Sequence, residues 1–435
     1  MYAYHKQVLK LTNLEQVLQI APHYSDFFAF ETPEHQIRFG LGTISSLTPH
    51  SPQTAFTDVK QWQIAQKTQI PAAIQNQAQI FGAYPFENQP SDQQNIWGNL
   101  AQGYFFLPQY TLIQQSPANF ELLVLAQQPQ QLSQAVADFL NLITLATKIL
   151  PDTPVLETKQ PLALDHWQQQ VGVTVNLLQH QSSLKKVVLA RALQTTSSSP
   201  ISPEKSWLNA RLMNPETYHV LLRHQKLAFL SATPERLIQF NQANFQTAAI
   251  AGTIARGKTP TEDLEFGNQL LADTKNRQEQ AFVTKTILAI LHQHQAKVHY
   301  ANTPILLKNK NVQHLFTPIM GQLPTPAGIF DLIAALHPTP ALGGVPKNEA
   351  LAQIRHIEPL KRGLFGAPIG YLTFNHVGEF VVGIRSALLK TNQATLFAGA
   401  GIVADSLPTK EVKETALKFQ PMLNTLYERT TVFNV

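Results

Sequence analysis

The chain has 435 residues, a formal net charge of +5 and no cysteine, which excludes disulfides, a thiolate nucleophile and thiolate-held zinc or iron–sulfur centres. Hydrophobic residues make up 44%, enough for a sizeable core, and charged residues only 14% against a usual quarter or so. No apolar run approaches the ~20 residues that span a bilayer, so no membrane association is expected.

Met1 to Lys10 carries His5, Lys6 and Lys10 but no apolar stretch follows, so a signal peptide is not expected and a cytoplasmic protein is. The basic excess is spread out. Its densest patches, Lys185-Lys186 and Lys308-Asn309-Lys310, are too short for a nucleic-acid reader, and no nucleic-acid partner is expected. No coiled-coil heptad is present, which leaves a monomer as the expectation.

Along the chain, Leu150 to Pro161 reads as a break between an N-terminal part, 1–150, and the remainder, 151–435. Thr195 to Pro203, rich in Ser, Thr and Pro, reads as a surface loop. Lys226 to Ser231 and Arg236 to Phe240 read as strands around a turn at Thr233-Pro234, and Phe245 to Ile250 as a third. Thr259-Pro260-Thr261-Glu262 is a capping box with Pro at the first helical position. The helix it starts should run to about His294, with room for one break, and with Leu270, Leu271, Phe282, Ile287 and Leu291 roughly on one face. Ile369 to Asn375, Glu379 to Leu389 and Ala394 to Val403 read as strands, the last two joined by a turn at Asn392-Gln393. A final helix follows Pro408. Antiparallel strands mixed with long helices make an α+β fold.

Gly399-Ala400-Gly401-Ile402-Val403-Ala404 formally fits a dinucleotide loop, but Asp405, Ser406 and Pro408 intervene before any helix. A close backbone approach to another anionic ligand suits it better. None of the fifteen histidines shows ligand spacing, and His314 and His337 read as hydrogen-bonded structural residues. Glu411, Glu414 and Lys418 fall on one helix face, as a surface ion-pair stripe or as part of a site beside the glycines. Glu279, one turn after Lys275, is open to the same two readings. Carboxylates from different helices, without nitrogen or sulfur ligands, favour Mg²⁺.

Several ordered motifs then resemble the chorismate-utilising enzymes over roughly residues 180 to 430. They are Ala251-Gly-Thr253 to Arg256-Gly257, Lys275-Asn-Arg-Gln-Glu279, Val312-Gln-His-Leu315, Ile384-Arg385-Ser386-Ala387, Ala398-Gly-Ala-Gly-Ile-Val403 and Glu411-x-x-Glu414-Thr415-x-x-Lys418. Three features resemble the isochorismate synthase branch. Lys186-Val-Val-Leu-Ala-Arg191 is similar to the stretch that supplies a catalytic lysine, where anthranilate synthases place glutamine. Leu336-His-Pro-Thr-Pro-Ala-Leu-Gly-Gly344 has Ala341 where aminating members carry threonine. Ala251 stands near where aminodeoxychorismate synthases carry a nucleophilic lysine. Gln280, Ile254-Ala255 and Phe365 depart from the common pattern.

The resemblance implies two antiparallel sheets packed face to face with helices outside, in a single large domain. It implies chorismate as substrate, Lys186 as the base and Glu235 as the acid, both in a poorly hydrated pocket. It implies Mg²⁺ on Glu279 and Glu414, with Glu411, and Glu262 or Asp263 at most, behind them. Arg385, Lys418 and the backbone at Gly401 would hold the enolpyruvyl carboxylate. Gly252, Thr253, His337, Ala341, Leu342 and Phe365 complete the expected substrate wall. A salicylate synthase and an anthranilate synthase component I remain the alternatives.

Overall fold

The computed structural model describes residues 1–87, 95–147, 149–180, 183–309 and 312–428, so Lys310 of the short basic patch lies outside the described residues. Every strand pairing among them is antiparallel, and the strands form one sheet of twelve and one of ten. The first runs in the order Ala3–Lys10, Asn119–Ala126, Tyr110–Ser116, Ile37–Leu41, Asp26–Glu31, Tyr218–His224, Leu227–Thr233, Ser386–Lys390, Gln393–Ile402, Lys186–Ser197, Gly344–Val345. The second runs Lys297–Tyr300, Val312–Gln322, Asn244–Ala255, Arg236–Asn241, Val377–Val382, Pro368–Thr373, Gln79–Ala83, Tyr104–Leu107, Ser45–Leu47, with Ile305–Lys308 off this path on Val312–Gln322.

Aromatic side chains form the layer between the sheets. Phe28, Phe30, Phe81, Phe106, Tyr371 and Phe397 are all buried in it. Phe28 stacks on Phe81 with centroids 4.9 Å apart, and Phe30 meets Tyr371 edge-on at 5.3 Å. The outer faces are closed by amphipathic helices, such as Pro129–Leu145, which buries Ala135, Phe139 and Ile143 at four-residue spacing.

Two expected elements are corrected by this layering. Glu379 to Leu389 is not one strand. Val377–Val382 lies in the second sheet and Ser386–Lys390 in the first, and the chain crosses between them at Gly383 to Arg385. The Thr233-Pro234 turn is likewise a crossing, from Leu227–Thr233 in the first sheet to Arg236–Asn241 in the second. The two crossings run side by side: Val382 N donates to Glu235 O at 2.9 Å, and Ala232 N to Arg385 O at 3.1 Å.

The loop expected from Thr195 is strand as far as Ser197. Its hydroxyls can be buried because they are satisfied inside: Thr195 Oγ1 meets the Tyr427 hydroxyl at 2.6 Å, and Ser197 Oγ donates to Ser199 O at 2.8 Å. The break expected at 150–161 contributes a strand too, Leu156–Pro161, paired with Lys186–Ser197. The last hairpin turns one residue early, at Thr391-Asn392, since Lys390 pairs with Gln393.

The long helix is two, Pro260–Ala272 and Thr274–Gln293. Thr259 caps the first through Glu262 N, while the Glu262 carboxylate accepts from Lys258 N at 2.6 Å. Asp273 breaks the run by capping the second through Asn276 N at 2.7 Å. Phe282 is 46% exposed and lies off the buried face.

Candidate active site

Lys186 opens its strand at the edge of the first sheet, paired with Val345 on one side, while Val188 pairs with Gly401 on the other. Its side chain lies across Gly401, where a Cβ would come within 2.8 Å of Lys186 Cε. The ammonium lies 3.4 Å from Glu279 Oε1. The expectation of a poorly hydrated lysine is not met, since this side chain is 23% exposed. Two residues back along the glycine strand, Lys418 Nζ donates to Gly399 O at 2.8 Å and pairs with Glu414 Oε1 at 2.7 Å. Two lysines, one from the strand Lys186–Ser197 and one from the helix Pro408–Leu426, thus lie against the strand Gln393–Ile402, each paired with a carboxylate from a helix.

Glu235 sits on the first crossing, its N–H donating to Thr233 Oγ1 at 3.1 Å. The residue as a whole is half-buried, and its carboxyl is enclosed by protein. Loss of bulk water pushes its carboxyl up to about 7, against the opposing pull of the Lys186 charge. Arg236 does not pair with it. That guanidinium points the other way, to Gln239 Oε1 at 3.2 Å and Glu379 at 3.7 Å.

Arg385 sits on the second crossing with φ +49°, in the left-handed region that side chains rarely adopt. Its guanidinium is largely desolvated, which lowers its proton affinity, and no acceptor holds it among the described residues. A desolvated guanidinium without an acid is matched to an incoming carboxylate.

Gly252 forms a bulge with φ +67° between the Ala251–Leu315 and Thr253–His314 pairs. Thr253 Oγ1 meets His314 Nδ1 at 2.9 Å. Burial pushes the His314 imidazole down, and the charges of Arg385 and Lys418 act the same way. His314 thus belongs to the cleft, although the sequence reading took it as structural. The signal available was its place in the Val312-Gln-His-Leu315 motif.

Other expected residues lie elsewhere. His337 is buried, its Nε2 donating to Phe86 O at 2.6 Å, with burial pushing it down to about 3. It is a neutral core residue rather than part of a substrate wall. Phe365 stacks on Phe397 at 5.4 Å in the aromatic layer, where its apolar ring is best buried. Leu342 is buried and its carbonyl accepts from Arg362 Nη1 at 2.9 Å; Ala341 is exposed beside it. This loop is tied to the Lys186 strand by Val188 N donating to Gly343 O at 3.0 Å. Asp263 is taken up by Arg256 at 2.6 Å and Lys308 at 2.8 Å, and Glu262 by its cap, so neither stands behind a metal. Gln280 points away from Glu279, donating to Ala249 O and Thr317 Oγ1, both at 2.9 Å, and so pins the helix to the sheet.

Among the described residues no three His, Cys, Asp or Glu converge into a ready-made cage. Glu279 and Glu414 nonetheless offer hard oxygen donors that are half exposed, and the Glu414 charge helps burial push Glu411 up behind them. Such a sparse carboxylate set fits Mg²⁺, which keeps waters and takes further ligands from its substrate.

Comparisons with known proteins place the chain in a family. The family model described as chorismate binding enzyme matches residues 2–427, so the likeness extends through the N-terminal third as well. The chain is 34% identical to isochorismate synthase MenF of Bacillus subtilis (strain 168), over 98% of this chain and 93% of that one. It is 38% identical to isochorismate synthase EntC of Escherichia coli (strain K12), over 55% of this chain and 61% of that relative's length. The solved structure of MenF, the menaquinone-specific isochorismate synthase from Escherichia coli, superposes with a TM-score of 0.83 at 23% identity, covering 98% of this chain and 95% of that one. At that identity the superposition speaks for the fold.

Proposed function

The chain belongs to the chorismate-binding enzyme family; we propose that it is an isochorismate synthase, an isomerase that relocates the ring hydroxyl of chorismate. One observation carries the reading: a carboxyl held near pKa 7 at Glu235 shares a cleft with an amine at Lys186 and an acid-free guanidinium at Arg385. The likeness to MenF and EntC supports the same assignment.

Water enters at C2 of the ring and the C4 hydroxyl leaves as water, while the double bonds shift. Atoms balance, since one water is taken up and one released. Lys186 accepts the proton of the attacking water, and Glu235 delivers one to the departing hydroxyl. Solvent exchange then resets both groups. Glu235 suits its part because half of it is still protonated near neutral pH. Lys186 must first part from Glu279, whose carboxylate oxygen engages the amine at 3.4 Å.

Arg385 and Lys418 hold the enolpyruvyl carboxylate, with the Gly401 backbone close enough to join them because it lacks a Cβ. Glu279 and Glu414 would hold Mg²⁺, with Glu411 behind. When bound, the ion supplies neutralising charge for a substrate carboxylate.

The test is incubation of the purified protein with chorismate and Mg²⁺, with products resolved by chromatography and Lys186→Ala as control. Isochorismate that disappears with EDTA and with the variant is the expected result. Salicylate plus pyruvate would move the protein to the lyase alternative, and anthranilate formed with ammonia to the aminating one. No conversion at all would overturn the reading.

A further inference from the structure

A cavity whose lining includes none of Lys186, Glu235, Arg385 and Lys418 lies at the edge of the first sheet. The Lys186–Ser197 strand is paired at its start by Gly344–Val345 and from Leu193 onward by Leu156–Pro161. Between these partners its outer edge carries no strand. A recess lies there, about 450 Å³ counted out into open solvent, of which about 30 Å³ admits the centre of a water molecule, the room of roughly two waters.

Arg191 lines it and is only 8% exposed. Its Nε donates to Thr415 Oγ1 at 2.8 Å and its Nη2 to Val412 O at 3.2 Å. Nη1 has no acceptor among the described residues, and no carboxylate there pairs with the guanidinium. Desolvation alone lowers its proton affinity, with no acid opposing it. The Trp167 and Phe419 rings, at 5.8 and 4.9 Å, give the charge partial cover.

Trp167 lines the same cavity. It is buried, and its indole N–H has no acceptor among the described residues. Such a donor is costly to leave unmet. The charged lining is two guanidiniums, Arg191 and Arg362, against one carboxylate, Glu358. Glu358 is already engaged, accepting from Arg362 Nε at 2.8 Å and Ala190 N at 2.7 Å. One positive charge is left over. The remaining wall is apolar, including Leu162, Ile357, Leu360 and Phe397.

We propose that this recess is a binding site for a small monocarboxylate with an apolar body. The carboxylate accepts from Arg191 Nη1 and the Trp167 indole N–H. The hydrocarbon part lies along the apolar wall. This assignment does not rest on the reaction proposed above, because binding is read without turnover.

The probes are butyrate and benzoate, titrated by calorimetry and by ligand-observed saturation-transfer NMR, with chloride at matched ionic strength. The expected result is saturable binding of one or both, not reproduced by chloride. Trp167→Phe, which keeps the ring and removes the donor, should weaken it about fivefold, and Arg191→Gln should abolish it. Binding should survive Arg385→Lys, which separates this site from the cleft. Should Arg191→Gln fail to fold, Trp167→Phe and Arg385→Lys still decide. Binding no better than chloride, binding unchanged in Trp167→Phe, or binding lost in Arg385→Lys would each overturn the proposal.

Discussion

Lys186 lies across the backbone of Gly401, so closely that a single added carbon at Gly401 would come within 2.8 Å of its Cε. Gly401 has an ordinary negative φ, so the backbone itself accepts alanine. The atom in the way is the far end of a flexible side chain. Gly401→Ala should therefore leave Tm within about 2 °C, by small adjustment of one partly exposed lysine. It should cut kcat by about tenfold or more, because Lys186 is pushed from its position. A large drop in Tm, or unchanged kcat, would contradict this relationship.

Glu235→Gln should separate stability from activity. The folded pKa, near 7, is above the ordinary value of 4.5. Below about pH 4.5 the carboxyl is protonated in both folded and unfolded chains and costs nothing. Between 4.5 and 7 the unfolded chain ionises first, so stability falls as pH rises. Above 7 the whole penalty is present, up to about 3 kcal/mol. The glutamine variant should thus melt higher than the parent at pH 8 and equally at pH 4, in thermal denaturation at both pH values. Its kcat should fall by about 10² to 10⁴. In the parent, kcat should fall about tenfold per pH unit above 7 as the acid is lost.

Arg385→Lys keeps the charge but not the planar fork. The expected outcome is a rise in KM for chorismate of about tenfold or more, with kcat changed less. Steady-state kinetics over a wide chorismate range measure the split. A loss confined to kcat would place Arg385 in another role.

Glu279→Gln and Glu414→Gln should each raise the Mg²⁺ concentration needed for half-maximal rate by about tenfold or more. Asp263→Asn is the contrast. It breaks the contacts to Arg256 and Lys308 and should lower Tm while leaving the Mg²⁺ requirement unchanged. Mg²⁺ titrations of the three variants, beside their melting curves, decide this. Equal Mg²⁺ dependence in all three would remove Glu279 and Glu414 from the metal.

The sequence by itself determined what short-range geometry controls. Glu414 and Lys418 pair because four residues of helix return to the same face, and the spacing alone shows it. The Thr259 cap and the glycines at 399 and 401 are legible for the same local reason. Absence of cysteine settled which chemistries were closed. Only the tertiary structure decided which of these faces meet. Lys275 and Glu279 are spaced for each other, yet Lys275 reaches Asp405 at 3.9 Å and Glu279 reaches Lys186, 93 residues away. Residues 379–389 read as one strand because alternation does not record which sheet a segment joins, and a single left-handed residue, Arg385, carries the chain across. His337 and His314 look alike in sequence. Packing buries the first on a backbone carbonyl and leaves the second beside Arg385 and Lys418. Proton affinity, burial and charge pairing all depend on neighbours brought from distant parts of the chain, and local periodicity holds no record of them.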